Sequence, residues 1–240
     1  MELHRRMSRQ AERYGSRLVV ERAEALTQIC GGFAVRSASL TLHARTVILA
    51  TGVAVTEPQV DNLAEAVACG AVRYCPICDG LETGGKRIAV LGSKGASLGE
   101  AIFLRTYSDD ITLLRATQAC VLSQDQREDA ARNGIRLEER LPEAIELVGD
   151  QLLVRFANSE SDWFNIVYPC LGSAPRSDFA AALGADTTAT GGLLVDSRQQ
   201  TNIPGLYAAG DVLEGLDQIA TACGQGATAA TAIHNRLRQL

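Results

Sequence analysis

The sequence of 240 residues contains no apolar run approaching the roughly 20 residues needed to cross a bilayer, so no membrane-spanning helix is expected. It has no concentration of one charge either. Its 23 basic and 28 acidic residues are mixed along the chain, for a net charge of -5. That diffuse acidic balance supplies no electrostatic footprint for nucleic acid. Met1-Glu2-Leu3-His4-Arg5-Arg6 is charged, but no apolar stretch follows it, so it does not read as a signal peptide and a cytoplasmic location is expected. Histidine is scarce, and His4, His43 and His234 show no metal-ligand spacing. There is no internal repeat and no low-complexity tract. What the chain does have is 46% hydrophobic residues and 22 glycines, enough for the core of one or two ordinary domains.

Seven cysteines are odd in number and widely scattered, at positions 30, 69, 75, 78, 120, 170 and 223. Such thiols read as reduced and buried rather than as a disulfide framework. Only Cys75 and Cys78, in Tyr74-Cys75-Pro76-Ile77-Cys78-Asp79-Gly80, are close enough to act as a unit. Two thiols with two residues between them can close a small disulfide ring and open it again without moving the backbone far. The spacing also fits half a zinc site, which needs four ligands; no second Cys-x-x-Cys occurs. Asp79, beside the pair, can carry the proton that thiol–disulfide exchange must move. Asp-Gly is also an ordinary turn pair.

Periodicity and punctuation suggest the framework. Residues 3–14 have helical charge spacing, with Gly15 as a stop. Residues 17–26 read as a strand, and 33–36 with 40–44 as a β-hairpin. The apolar run 46–50, ending at Thr51-Gly52, suits a parallel strand buried on both faces. Residues 87–91, the turn at Gly92, a helix over 97–107 and a strand over 111–114 make one βαβ unit. Strands over 152–156 and 166–172 are expected to complete a second sheet. A short strand closes on Gly210-Asp211, and a small-residue-rich helix covers 218–237.

Gly92-Ser93-Lys94-Gly95-Ala96-Ser97 stands where a helix N-terminus can hold a pyrophosphate. It is a poor match to Gly-x-Gly-x-x-Gly, because Lys94 occupies the central position, where its ammonium pairs with phosphates or blocks them. The following strand ends at Arg115 rather than at an acidic residue, which leans toward a 2′-phosphorylated cofactor. At Gly210-Asp211 a carboxylate precedes a helix and can accept bonds from sugar or ribityl hydroxyls, although Gly-Asp is also a frequent turn. Gly224-Gln225-Gly226-Ala227 permits close backbone approach, to a ligand or to another helix.

In order, these segments resemble the low-molecular-weight thioredoxin reductase family of flavoproteins. The landmarks are Ile48-Leu49-Ala50-Thr51-Gly52, Cys75-Pro76-Ile77-Cys78-Asp79-Gly80, the strand and turn from Ile88 to Gly92 with Glu100-Ala101, Gly172-Ser173-Ala174-Pro175, and Pro204-Gly205-Leu206-Tyr207-Ala208-Ala209-Gly210-Asp211-Val212 with Gln218 downstream. The resemblance implies an α/β fold of two nested, Rossmann-like, three-layer nucleotide-binding domains, the first incomplete. Residues 1–57 and 172–240 would bind FAD, and residues 58–171 would bind NADPH and carry the dithiol. It implies Cys78 as the thiol against the flavin, Cys75 as the exchanging thiol and Asp79 as the acid. Thr51, Gly52, Gly210, Asp211, Gln218 and Ile219 would hold FAD; Gly92, Ser93, Gly95, Ala96 and Arg115 would hold NADP. A thioredoxin-like protein or another disulfide would be the acceptor, and the protein would be a homodimer.

The departures shape the expectation. No Gly-x-Gly-x-x-Gly turn precedes Ile48, so the chain reads as N-terminally truncated, without its first βαβ part and with weakened FAD binding. Lys94 replaces a glycine, Arg115-Ala116-Thr117 stands where the family has a His-Arg-Arg cluster, and Asp217 stands where relatives carry Arg. Two alternatives therefore accompany the oxidoreductase: a relative whose donor is not NADPH, and a flavin-free remnant that is a redox-sensitive binding or regulatory protein or is inactive.

Overall fold

The computed structural model describes residues 2–92 and 95–238. The chain divides into two compact units, Met1–Ala54 with Ala174–Leu240, and Val55–Ser173. In chain order the first unit supplies helix α1 (Glu2–Arg13) and strands β1 (Ala23–Ile29), β2 (Gly32–Ser37), β3 (Thr41–Ala44) and β4 (Val47–Leu49). Strand β5 (Val53–Val55) leads out of it. The second unit holds α2 (Leu63–Ala68), α3 (Pro76–Asp79), β6 (Ile88–Gly92), α4 (Ser97–Leu104), β7 (Ile111–Arg115), α5 (Gln124–Arg132) and β8 (Arg136–Glu138). It continues through β9 (Pro142–Val148), β10 (Gln151–Phe156), β11 (Ser161–Phe164) and β12 (Ile166–Cys170), and β13 (Ser173–Pro175) leads back. The first unit ends with α6 (Asp178–Ala181), β14 (Leu206–Ala208) and α7 (Ile219–Arg238).

In the first unit, α1 buries no residue and is held by its own charges, with Glu2 pairing Arg5 and Arg6 one turn away. The strand expected over 17–26 begins only at Ala23 and runs on to Ile29. Leu18, Val19 and Val20 are exposed and lie outside any ladder, so their apolar character finds nothing to pack on. The expected hairpin forms as β2 and β3, extended by β1 into an antiparallel sheet with Phe33 buried beneath it. Gly32 is needed for space: a Cβ there would stand 2.2 Å from the Ala44 carbonyl oxygen. β4 pairs in parallel with β14, Leu49 opposite Ala208. Leu49 is buried, but Ile48 on the opposite face is 38% exposed, which corrects the expectation of a strand buried on both faces.

The second unit is built on a parallel sheet in the order β12-β6-β7-β8. Every residue of β6 is buried, and alternation sends its side chains to opposite layers. Ile88 and Val90, with Ile111, Leu113, Ile166 and Tyr168, pack beneath α4 and α5 against Leu98, Leu104 and Ala130. Ala89 and Leu91, with Leu114 and Val167, face the other way onto Ile145, Leu152, Val154, Phe156 and Phe164. That layer is an antiparallel sheet, β11-β10-β9, rather than a row of helices. Residues 152–156 and 166–172 were expected in one sheet; instead the former belong to this cover, while β12 pairs with β6. Among the described residues no helix is long and apolar enough to cross a membrane.

Candidate functional site

The dithiol sits at the start of α3. Cys75 is the residue before the first turn, in an extended conformation, and its sulfur accepts the Cys78 N–H at 3.2 Å. Pro76 at the first helical position is buried, presets the helical φ and removes an N–H that would have no partner. One tight turn brings Cys75 and Cys78 to a Cα separation of 5.2 Å, and they are joined as a disulfide. Cys75 is half-buried and Cys78 exposed, between the exposed side chains of Tyr74, Ile77 and Leu81.

Asp79 ends this helix and is tied down from two sides. The Tyr168 hydroxyl, from β12, donates to its Oδ1 at 2.7 Å, and the Arg73 guanidinium lies 3.5 Å from its Oδ2. Arg73 also bonds the Asp79 carbonyl at 3.3 Å and Glu82 at 2.8 Å. Burial, and then the bond to the Asp79 carboxylate, push the Tyr168 phenol far above its ordinary range, so it stays a neutral donor. Gly80 has an ordinary helical φ of -57°, so the Asp-Gly pair is not a left-handed turn. Its missing side chain instead makes room for the Tyr107 ring. Neither Tyr168 nor Arg73 stood out in the sequence. The available signal was a phenol inside an otherwise apolar buried strand, which must find a polar partner.

The residues expected to hold NADP gather at the carboxyl ends of β6 and β7, the usual crevice of a parallel sheet. Gly92 is buried at the end of β6, where a Cβ would stand 2.1 Å from the Ser97 hydroxyl. Ser93 and Lys94 lie outside the described residues. Gly95 and Ala96 lead into α4, and a Cβ on Gly95 would stand 2.4 Å from Nε2 of Gln126, so the α5 side chain already covers that turn. Gln126 is held there by closing the start of α5 with Ser123. Arg115 does not fit a phosphate clamp. Its Nη2 donates to the Gln118 carbonyl at 2.6 Å, and its Nη1 to the Glu139 carbonyl at 3.2 Å. Nearby, the half-buried Cys170 thiol donates to Glu100 at 3.1 Å, and burial followed by that carboxylate pushes it up to about 12.

In the first unit, Thr51-Gly52 and Gly210-Asp211 follow the adjacent strands β4 and β14 and so come side by side. The Thr51 hydroxyl donates to the Arg176 carbonyl at 2.6 Å, and Gly52 and Gly210 take φ of 65° and 80°. The Gly210 N–H donates to the Gln225 side chain at 2.7 Å, so Gln225 fastens the strand end to α7. Gln218 and Ile219 stand at the start of α7, where the helix dipole favours negative charge. Asp211 makes no hydrogen bond among the described residues, which suits a carboxylate that receives hydroxyls of a ligand. Asp217 is raised from its ordinary value by partial desolvation and then by Asp211. These are the residues expected to hold FAD.

Of the five cysteines outside the disulfide, Cys30, Cys69 and Cys223 are exposed, against the expectation that the scattered thiols are buried; Cys120 is buried. Among the described residues no group of three or more His, Cys, Asp or Glu could hold a metal ion.

Comparison with known proteins places the fold and the family. The chain is 28% identical over 243 residues to a thioredoxin reductase of Peptoclostridium acidaminophilum, with 94% of this chain and 76% of that protein covered. It is 32% identical over 230 residues to a component of the alkyl hydroperoxide reductase of Pseudomonas putida, covering 91% of this chain but 44% of that protein. The fold superimposes on the crystal structure of thioredoxin reductase from Streptococcus pyogenes with a TM-score of 0.88 at 23% identity, over 100% of this chain and 80% of that one. Residues 8–226 match the pyridine nucleotide-disulphide oxidoreductase family. With its thioredoxin reductase-like fold and its Cys75–Cys78 disulfide, the chain belongs to that family.

Proposed function

We propose that this chain is a flavin-dependent thiol–disulfide oxidoreductase that takes electrons from a reduced pyridine nucleotide through FAD to Cys75 and Cys78, and passes them to a protein disulfide. The observation that carries the reading is the Cys75–Cys78 disulfide at the head of α3 with Asp79 fixed beside it. Bound flavin would supply two-electron chemistry, and Thr51, Gly52, Gly210, Asp211, Gln218 and Ile219 would hold it. Cys78 would receive electrons first and Cys75 would exchange with the acceptor, with Asp79 moving the proton. A thioredoxin-like protein is the acceptor favoured by the relatives' names, in a cytoplasmic homodimer.

The test is direct. The purified protein should be yellow with flavin absorbance, a reduced nicotinamide cofactor should bleach that absorbance, and thiol titration should show two new thiols. A colourless protein whose thiol count never changes would overturn the reading. One observation favours a variant of it. Because the Arg115 guanidinium is committed to two backbone carbonyls, a donor without a 2′-phosphate fits this crevice better than NADPH. Bleaching by NADH at lower concentration than by NADPH is the expected result.

A further inference from the structure

The Asp79 carboxylate is held by side chains that the proposed reaction does not itself require. The Tyr168 hydroxyl comes from a strand 89 residues away to donate to Oδ1 at 2.7 Å, and it is buried within the sheet. On the other side Arg73 is only 13% exposed and reaches Oδ2, the Asp79 carbonyl and Glu82, which is 69% exposed. Arg73 is fixed in turn by donating from Nε to the Gly70 carbonyl at 3.0 Å. Tyr107 packs against Gly80 next to Asp79, and Glu100 on α4 is engaged with Cys170. A buried phenol donating to one carboxylate oxygen and a guanidinium ion-paired with the other leave the Asp79 side chain one orientation.

We propose that Tyr168 and Arg73 are positioning residues that hold Asp79 as the proton carrier of the Cys75–Cys78 pair. This rests on the thiol–disulfide reading above. In the step concerned, the Cys75 thiol gives its proton to the Asp79 carboxylate and its sulfur attacks the acceptor disulfide. One acceptor sulfur leaves as a thiolate and takes the proton back from Asp79. The Cys78 thiolate, its own proton lost by the same route, then attacks Cys75, closing the Cys75–Cys78 disulfide and releasing the second acceptor sulfur, which is protonated in the same way. Two electrons and two protons pass from the pair to the acceptor. A carrier that swung free would have to find its working orientation anew at each transfer; a clamped one keeps it.

The experiment uses the full chain, reduced with excess dithiothreitol and freed of it, and follows exchange with oxidised glutathione from acid to alkaline pH. Asp79→Asn should remove one limb of the rate–pH profile. Tyr168→Phe keeps the ring and removes only the hydroxyl; it should displace that same limb and slow neutral exchange about tenfold. The double variant should match Asp79→Asn alone, because the phenol acts only through the carboxylate. Arg73→Met should act in the same direction and Arg73→Lys should restore most of the rate. If Asp79→Asn alters the profile while Tyr168→Phe superimposes on wild type, the proposal is wrong and the functional reading stands. If the reduced wild type does not exchange at all, the reading itself fails and the proposal falls with it. Independent, multiplying effects of the two substitutions would also overturn it.

Discussion

Gly80 lies against the ring of Tyr107: a Cβ on Gly80 would stand 2.6 Å from Tyr107 Cε2. The helix that presents the disulfide is therefore seated on an aromatic ring with no clearance. Gly80→Ala leaves the backbone unstrained, since its φ is -57°, and acts only by overlap with the ring. Overpacking of this kind costs about 1–3 kcal/mol. A lowered Tm and a slower thiol exchange are expected, and Tyr107→Ala added to Gly80→Ala should recover the exchange rate. No recovery would place the cost elsewhere than at the ring.

Thiol counting separates the pair from the rest. Five cysteines carry no disulfide and two are joined, so titration under denaturing, non-reducing conditions should give five thiols and reduction should raise this to seven. In Cys78→Ser the unreduced protein should give six, with Cys75 released. The reduced count should then equal the unreduced one.

Cys170 should be the slowest of the half-buried or exposed thiols to alkylate at neutral pH, well behind Cys30 and Cys223 by peptide mass mapping. Its thiol is pushed from the ordinary 9.0 up to about 12, first by burial and then by Glu100. The sign for stability follows from proton binding: between about pH 9 and 12 the unfolded chain loses this proton and the folded chain keeps it. The contribution is therefore complete below pH 9 and is lost as the pH rises through that window. Cys170→Ala should flatten the fall of denaturation midpoint with pH over the same range.

Asp217 is raised by burial and by Asp211, so at neutral pH its charge opposes folding. A folded-state value above the unfolded one gives a contribution present at acid pH and lost as the pH rises. Asp217→Asn should raise stability at pH 7 by a few tenths of a kcal/mol, about what a screened surface interaction is worth, and should lose that gain once the wild-type carboxyl is protonated. Chemical denaturation at the two pH values is the check. Equal gains at both would mean the charge is not the cause.

The dithiol, Asp79 and the strand ends at Gly52, Gly92 and Gly210 were legible because each is a local pattern, with a spacing or a glycine that backbone geometry explains. Tyr168 and Arg73 were not, because the link from Tyr168 to Asp79 spans 89 residues and is made only by tertiary packing. The antiparallel cover was misread for a related reason. Apolar alternation in residues 152–156 says that one face is buried, not which sheet the strand joins, and the two strands that flank β10 show the choice. Likewise the run at residues 46–50 reads as doubly buried from composition, whereas Ile48 faces outward. Arg115 carried the right charge for a phosphate; what the sequence did not show was that backbone carbonyls had already claimed it.

The second unit leaves and re-enters the chain at neighbouring points: β5 pairs with β13, and the Thr56 N–H donates to the Gly172 carbonyl at 2.9 Å. An insertion whose two ends meet imposes almost no geometric demand on its host, because a turn of a few residues can close the gap it leaves. The segment that bears the dithiol is thus bounded by two chain positions that already lie within hydrogen-bonding distance of each other.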